Sequence, residues 1–178
     1  MRRFLLKSFV FVLTFFCLCF VSCSNEKNSD HSEDHGNIDP SDCLYDSPVP
    51  IFASIQAQLE HYVFQETGPF QTSEQFSYKD IEVEILQTGC NQVYQEFRFI
   101  TDSSLGVVDF ASNIFNEFSA LDQSLFALNQ FANEFQRQKD IIETNQLIQF
   151  SDIIYLKMDE TAFGEKRLIR IVMKSEEN

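Results

Sequence analysis

The sequence predicts an α+β domain: an antiparallel sheet of four to five strands, laid out as hairpin, one or two helices, hairpin, with the helices packed on one face. Three observations predict it. Two separate stretches, about 76–101 and 151–174, alternate apolar and polar residues with period two, as half-buried strands do. Each is divided by turn residues, Thr88-Gly89-Cys90-Asn91 in the first and 161–165, with Gly164, in the second. Between the two stretches the apolar period changes to 3.6, the spacing of an amphipathic helix. Paired strands, then helices, then paired strands imply helices on one side of an antiparallel sheet.

The chain opens on a leader. Arg2, Arg3 and Lys7 form a positive n-region, and residues 8–21 are almost wholly apolar. That run is shorter than the roughly 20 residues of a membrane span. It suits the h-region of a signal peptide covering 1–22. It ends on Phe20-Val21-Ser22-Cys23. These four residues resemble the lipobox of bacterial lipoproteins, with small Ser22 before the cysteine and aliphatic Val21 before that. Phe20 departs from the Leu most often found there. Cys17 and Cys19 follow bulky residues and are poorer acceptors. The resemblance implies cleavage before Cys23, acyl chains (palmitate among them) on that cysteine, and attachment of the protein to a membrane. Each buried methylene adds roughly 0.8 kcal/mol, so more than one chain gives lasting attachment. The implied address is the cell envelope, at the outer membrane or cell surface rather than the inner membrane.

Charge narrows the partners. The chain carries 13 basic and 27 acidic residues, a net of −14. The leader holds three of the basic residues and none of the acidic ones, so the mature protein stands at −17. Nucleic acid, whose phosphates require Lys and Arg, is excluded as a partner on this ground. Anionic lipid heads are equally poor targets, so the membrane is reached through the lipid on Cys23.

Residues 23–42 read as the lipidated cysteine and a tether. Polar and acidic residues fill the stretch and only Ile38 is large and apolar, too little surface to offset the entropy of ordering. At about 5–6 Å × √n the tether spans on the order of 25 Å. Residues 43–178 then form one domain.

Its first element, 51–64, satisfies two periods. Ile51, Ala53, Ile55, Ala57, Leu59 and Val63 alternate, whereas Ile51, Ile55, Leu59 and Tyr62 fit a helix. The six alternating positions favour a strand. Pro48 and Pro50 mark its start and Gly68-Pro69 its end. Ile81, Val83 and Ile85 then form the inward side of one strand, and Val93, Phe97 and Phe99 that of the next. The helical stripe runs through Val107, Phe110, Ala111, Ile114, Phe115 and Phe118, then Leu121, Leu125, Leu128, Ala132 and Phe135. One helix or two would accommodate 107–135. Asp122-Gln123-Ser124 offers capping chemistry for a second helix and favours two. The last hairpin sets Ile154, Leu156 and Met158 against Ile169, Ile171 and Met173.

Few residues offer chemistry. Cys43 and Cys90 are the only cysteines beyond the lipobox, and in an exported protein they are expected to pair. The bridge closes a 47-residue loop, worth about 4 kcal/mol of loop-closure entropy. No Cys-x-x-Cys spacing suggests redox catalysis. His31 and His35, beside Asp30, Glu33 and Asp34, have metal-ligand chemistry, but a solvated acidic spacer is the better account, so no metal or other cofactor is expected. His61 is the domain's one histidine and reads as structural. Glu82 and Glu84 alternate with apolar residues and therefore point out from a sheet, which disfavours paired acid–base work. No catalytic constellation emerges, and an enzyme is not expected. Lys157, Lys166, Arg167, Arg170 and Lys174 concentrate on the last hairpin, where cross-strand pairing with Asp152, Glu160 or Glu165 is expected.

Fourteen of the 20 phenylalanines lie beyond the leader, and there is no Trp. Phe110, Phe115, Phe118, Phe131 and Phe135 follow the helical stripes and would line either a packed core or an apolar ligand pocket. Phe126 lies off the stripe, as a contact surface would require. The functional expectation is a non-enzymatic, lipid-anchored binding or interaction module with an envelope-protein partner. The alternative is a carrier or sensor of an apolar ligand in a Phe-rich pocket.

Overall fold

The computed structural model describes Cys43 and residues 47–175, apart from the side chain of Phe126. The leader with Cys23 and the tether with His31 and His35 lie outside the described residues, as does the expected Phe126 contact. The described chain is built on a seven-stranded antiparallel sheet. β1 (Glu60–Gly68), β2 (Gln71–Tyr78), β3 (Ile81–Thr88) and β4 (Tyr94–Thr101) form one meander. Two helices, α1 (Val107–Leu121) and α2 (Phe126–Gln138), followed by a 3₁₀ turn (Lys139–Ile141), carry the chain to the far edge. β5 (Leu147–Gln149), β6 (Ile154–Phe163) and β7 (Lys166–Ser175) form a second meander back toward the centre. The order β1-β2-β3-β4-β7-β6-β5 joins the two meanders where β4 pairs with β7.

Register decides what the helices cover. Ile85, Phe97, Ile171 and Met158 stand in one row across the sheet, and Val83, Phe99 and Ile169 in the next. Residues opposite one another share a face, so both rows point to one side. All seven side chains are buried. The α1 stripe seals them: Phe115 meets Phe97 edge-on at 5.2 Å, and Phe110 meets Phe99 at 5.5 Å. Ser112 donates to Gln136 Oε1 at 2.5 Å and ties the two helices together.

The sheet has seven strands rather than four or five. β2 escapes the alternation test because its inward positions, in register with Ile85 and Val83, include Thr72 and Glu74 as well as Phe76. β5 has only three residues, too few to show a period. The first element is corrected as well. Residues 51–59 are not a strand: Ala53–Gln58 is a 3₁₀ helix, and the strand begins at Glu60. Its buried residues, Phe52, Ile55 and Leu59, follow helical spacing, whereas Ala53 and Ala57 are exposed. Gly68-Pro69 ends β1, as expected, and opens a tight turn to β2 in which Phe70 takes a left-handed φ of 57°.

The helical region does divide in two. Asp122 Oδ1 accepts the Ser124 N–H at 2.6 Å, which makes a local turn rather than a cap. Leu125 is the N-cap of α2 and offers no side-chain bond. In the last hairpin only Gly164 and Glu165 separate the strands, and Gly164 has a φ of 63°. A positive φ at the first central position is what a type II′ turn requires. Among the described residues no helix is long and apolar enough to cross a membrane.

Candidate functional site

α1 and α2 leave one end of their face of the sheet uncovered. There a cleft of about 640 Å³ opens between residues 47–51, the first turns of α2 and the ends of β3, β4 and β7. Leu125 and Leu128 reach it from the inward stripe of α2. Phe97 and Met173 reach it from inward positions on β4 and β7, and Pro48 and Val49 close the outer side. A second opening on the other flank of α2 shares Val93, Gln95, Ala127, Phe131 and Met173 with the first and also presents Glu134 and Arg137.

The polar groups of the cleft are all neutral. Its described lining includes no Asp, Glu, Lys, Arg or His. Gln87 lies two positions beyond Ile85 on the helix-facing side, opposite Gln95 on β4 and Thr72 on β2. Its Oε1 is buried without a hydrogen-bond partner among the described residues, as is Thr72 Oγ1. A buried acceptor left in that state costs about 1–3 kcal/mol. At the rim, Ser54 Oγ and Ser124 Oγ lie 3.1 Å apart, linking the 3₁₀ helix to the start of α2.

Two devices fix the outer wall. Cys43 and Cys90 form a disulfide, as expected. It fastens the chain upstream of the wall to the β3–β4 turn, where Cys90 itself has a left-handed φ of 79°. The second device is Glu74, fully buried on β2. Its carboxylate accepts the N–H groups of Ile51 at 2.6 Å and Phe52 at 2.9 Å, and the Tyr62 hydroxyl at 2.8 Å. Burial raises the Glu74 pKa above the usual carboxylate value, and the three donors oppose the rise without cancelling it. Burial together with the Glu74 carboxylate drives the Tyr62 hydroxyl upward. A β1 bulge after Glu60, with His61 at φ 56°, sets the local register of this contact.

The five phenylalanines do not gather around the cleft. Phe115, Phe118 and Phe135 have no exposed surface and Phe110 has 4%. They pack as core, ring against ring. Phe131 alone borders the cleft, 4.8 Å from Phe115. Of the residues the periodicity did not single out, Gln87 carried the clearest signal: the inward series Ile81, Val83, Ile85 continues onto an amide.

The opposite face of the sheet is ionic. Glu96 is almost fully buried there under Arg98, which donates to it at 2.7 Å and to Glu84 at 2.9 Å. The Tyr94 hydroxyl also donates to Glu96. Burial pushes the Glu96 carboxyl up, but the bonds from Arg98 and Tyr94 and the charges of Arg98 and Arg170 outweigh it, and its pKa ends below the usual value. The same environment pushes Tyr94 up to about 12, burial first and Glu96 second. Arg170 holds Asp159 through two bonds of 2.7 and 2.9 Å and lowers its pKa.

The basic residues of the last hairpin are therefore largely paired across strands. Arg170 meets Asp159 and Arg167 meets Glu160 across the hairpin, Lys166 reaches Glu82 on β3 at 3.0 Å, and Lys157 meets Asp159 along β6 itself. His61, Glu82 and Glu84 border one hollow of about 490 Å³ on this face. Glu82 holds Lys166, and Glu84 holds Arg98 and the Gln75 amide, so both carboxylates are already committed. Among the described residues no three His, Cys, Asp or Glu side chains gather as a metal site requires.

No protein-family model, curated protein or solved structure matches the chain.

Proposed function

We propose that the protein is an exported, lipid-anchored binding module of the cell envelope, and that the cleft beside α2 holds an apolar ligand. The observation that carries the ligand is the cleft's composition: about 640 Å³, walled by Phe97, Leu125, Leu128, Phe131 and Met173, with no charged side chain in its described lining. A concave, mainly apolar site with a few polar groups is the usual form of a small-molecule pocket. The anchor rests on the leader and on Phe20-Val21-Ser22-Cys23. The Cys43–Cys90 disulfide supports an oxidising compartment.

This reading is preferred to docking of an envelope protein on the open face of the sheet. The exposed apolar residues of that face are scattered: Val63 on β1, Leu147 on β5 and Phe163 at the end of β6. They make no continuous patch of the kind that marks a protein interface.

Two measurements test the proposal. Metabolic labelling with an alkyne-bearing palmitate should mark the wild type and spare Cys23→Ala; equal labelling refutes the anchor. Protein isolated from native membranes, extracted into organic solvent and analysed by mass spectrometry should release an apolar molecule that Leu128→Glu does not carry. Extracts with nothing bound to the wild type refute the ligand.

A further inference from the structure

We infer that the ligand is a neutral, hydroxyl-bearing single-chain amphiphile, such as a monoacylglycerol, whose chain lies along α2 and whose head donates a hydrogen bond to Gln87. The inference rests on the proposed ligand cleft and names its occupant. Three features of the cleft select it. Its described lining includes no Asp, Glu, Lys, Arg or His, so a carboxylate or phosphate head seated there would lose its hydration with no cation in that lining to pair it. The mature protein's charge of −17 adds long-range repulsion against anionic heads. Gln87 lines the cleft and its Oε1 has no partner among the described residues, so turning that amide toward the cleft offers an acceptor to an alcohol O–H. Gln95, directly opposite Gln87 across the β3–β4 ladder, also lines the cleft and offers both amide donor and acceptor to the same head.

The chain has an apolar bed: Leu125, Leu128 and Phe131 line the first opening along α2, and Phe131 and Met173 also border the second. The head end lies toward the β3–β4 turn, where Gln87 and Gln95 face each other.

The test uses the full chain in membranes of the expressing cell. Diazirine-bearing monoacylglycerol and diazirine-bearing fatty acid of equal chain length are added separately at pH 8, photolysed, and the labelled peptides mapped. The monoacylglycerol is expected to label the 125–131 peptide about tenfold more than the fatty acid, the size of a discrimination that leaves a buried acceptor unsatisfied. Gln87→Met, which keeps the side-chain length, should narrow the difference between the two probes while chain labelling persists. Equal labelling of the wild type by both probes overturns the neutral-head inference and leaves the ligand cleft standing. Labelling of 125–131 by neither probe overturns both. Monoacylglycerol labelling that rises in Cys23→Ala assigns the cleft to the protein's own acyl chain and overturns the inference.

Discussion

On the helix side of the sheet, Phe97, Phe99, Ile169 and Ile171 are sealed under Phe110, Phe115 and Phe118, and the Glu74 carboxylate sits wholly buried on the same side. On the other side, Glu84, Glu96, Arg98, Asp159 and Arg170 rise from the same strands and neutralise one another. Alternate residues of the strands therefore experience opposite electrostatics. Glu74 answers burial with two backbone N–H groups and a phenol, and its pKa stays high. Glu96 and Asp159 answer it with guanidinium groups, and their pKa values fall. Where cations stand beside it a carboxylate joins a lattice; where only dipoles do, it becomes a clamp. The clamp holds residues 51 and 52, and these form part of the cleft wall and of the core beneath it.

The largest expected effect that separates the faces is Phe115→Ala. Phe115 contacts Phe97, Phe99, Phe131 and Phe135, and its removal opens a cavity costing about 3–5 kcal/mol. Urea unfolding measures this, and a loss under about 1 kcal/mol would show that the helices do not seal the sheet as described.

Next comes Glu74→Gln, which weakens the charge-assisted bonds to residues 51 and 52 and is expected to cost about 2 kcal/mol at neutral pH. Its pH dependence is diagnostic. The pKa of Glu74 is raised on folding above 4.5, so the wild type gains stability as pH falls from neutral toward 4.5. Gln does not titrate, and the gap between the two proteins should widen over that interval. A gap that narrows would contradict the clamp.

Asp159→Asn should be the mildest, at about 1 kcal/mol after allowance for solvent screening of the partly exposed Arg170. Its sign with pH is opposite. The pKa of Asp159 is lowered on folding, so its contribution is complete above 3.8 and is lost as pH falls through the folded value. The gap from wild type should close in acid. Parallel pH profiles for Glu74→Gln and Asp159→Asn would erase the distinction between the faces.

Much of the architecture was legible residue by residue. Val83 and Ile85, Phe97 and Phe99, and Ile169 and Ile171 each repeat at the strand period, and each points into the core. Phe110, Ile114 and Phe118 repeat at the helix period and do the same. β2 was not legible, because its inward row reads Thr72, Glu74, Phe76, and an acid at an inward position breaks the pattern that identifies a strand. The cleft was not legible either. Its wall draws on residues 47–51, β3, β4, α2 and β7, and only Phe131 among the expected pocket residues borders it.

The sequence by itself determined which stretches alternate, where the helical period begins, that two cysteines were available to pair, and that no charged motif stood ready for nucleic acid. These are local properties, set by how each residue meets water in its own strand or helix. Only the tertiary structure decided that the sheet has seven strands, that Glu74 reaches Ile51 and Phe52 more than 20 residues away, and that Gln87 ends beside an apolar cleft. Those outcomes depend on strand register and on where the helices stop covering the sheet. Periodicity along a chain carries no information about either, because both are set by contacts between segments that are distant in sequence.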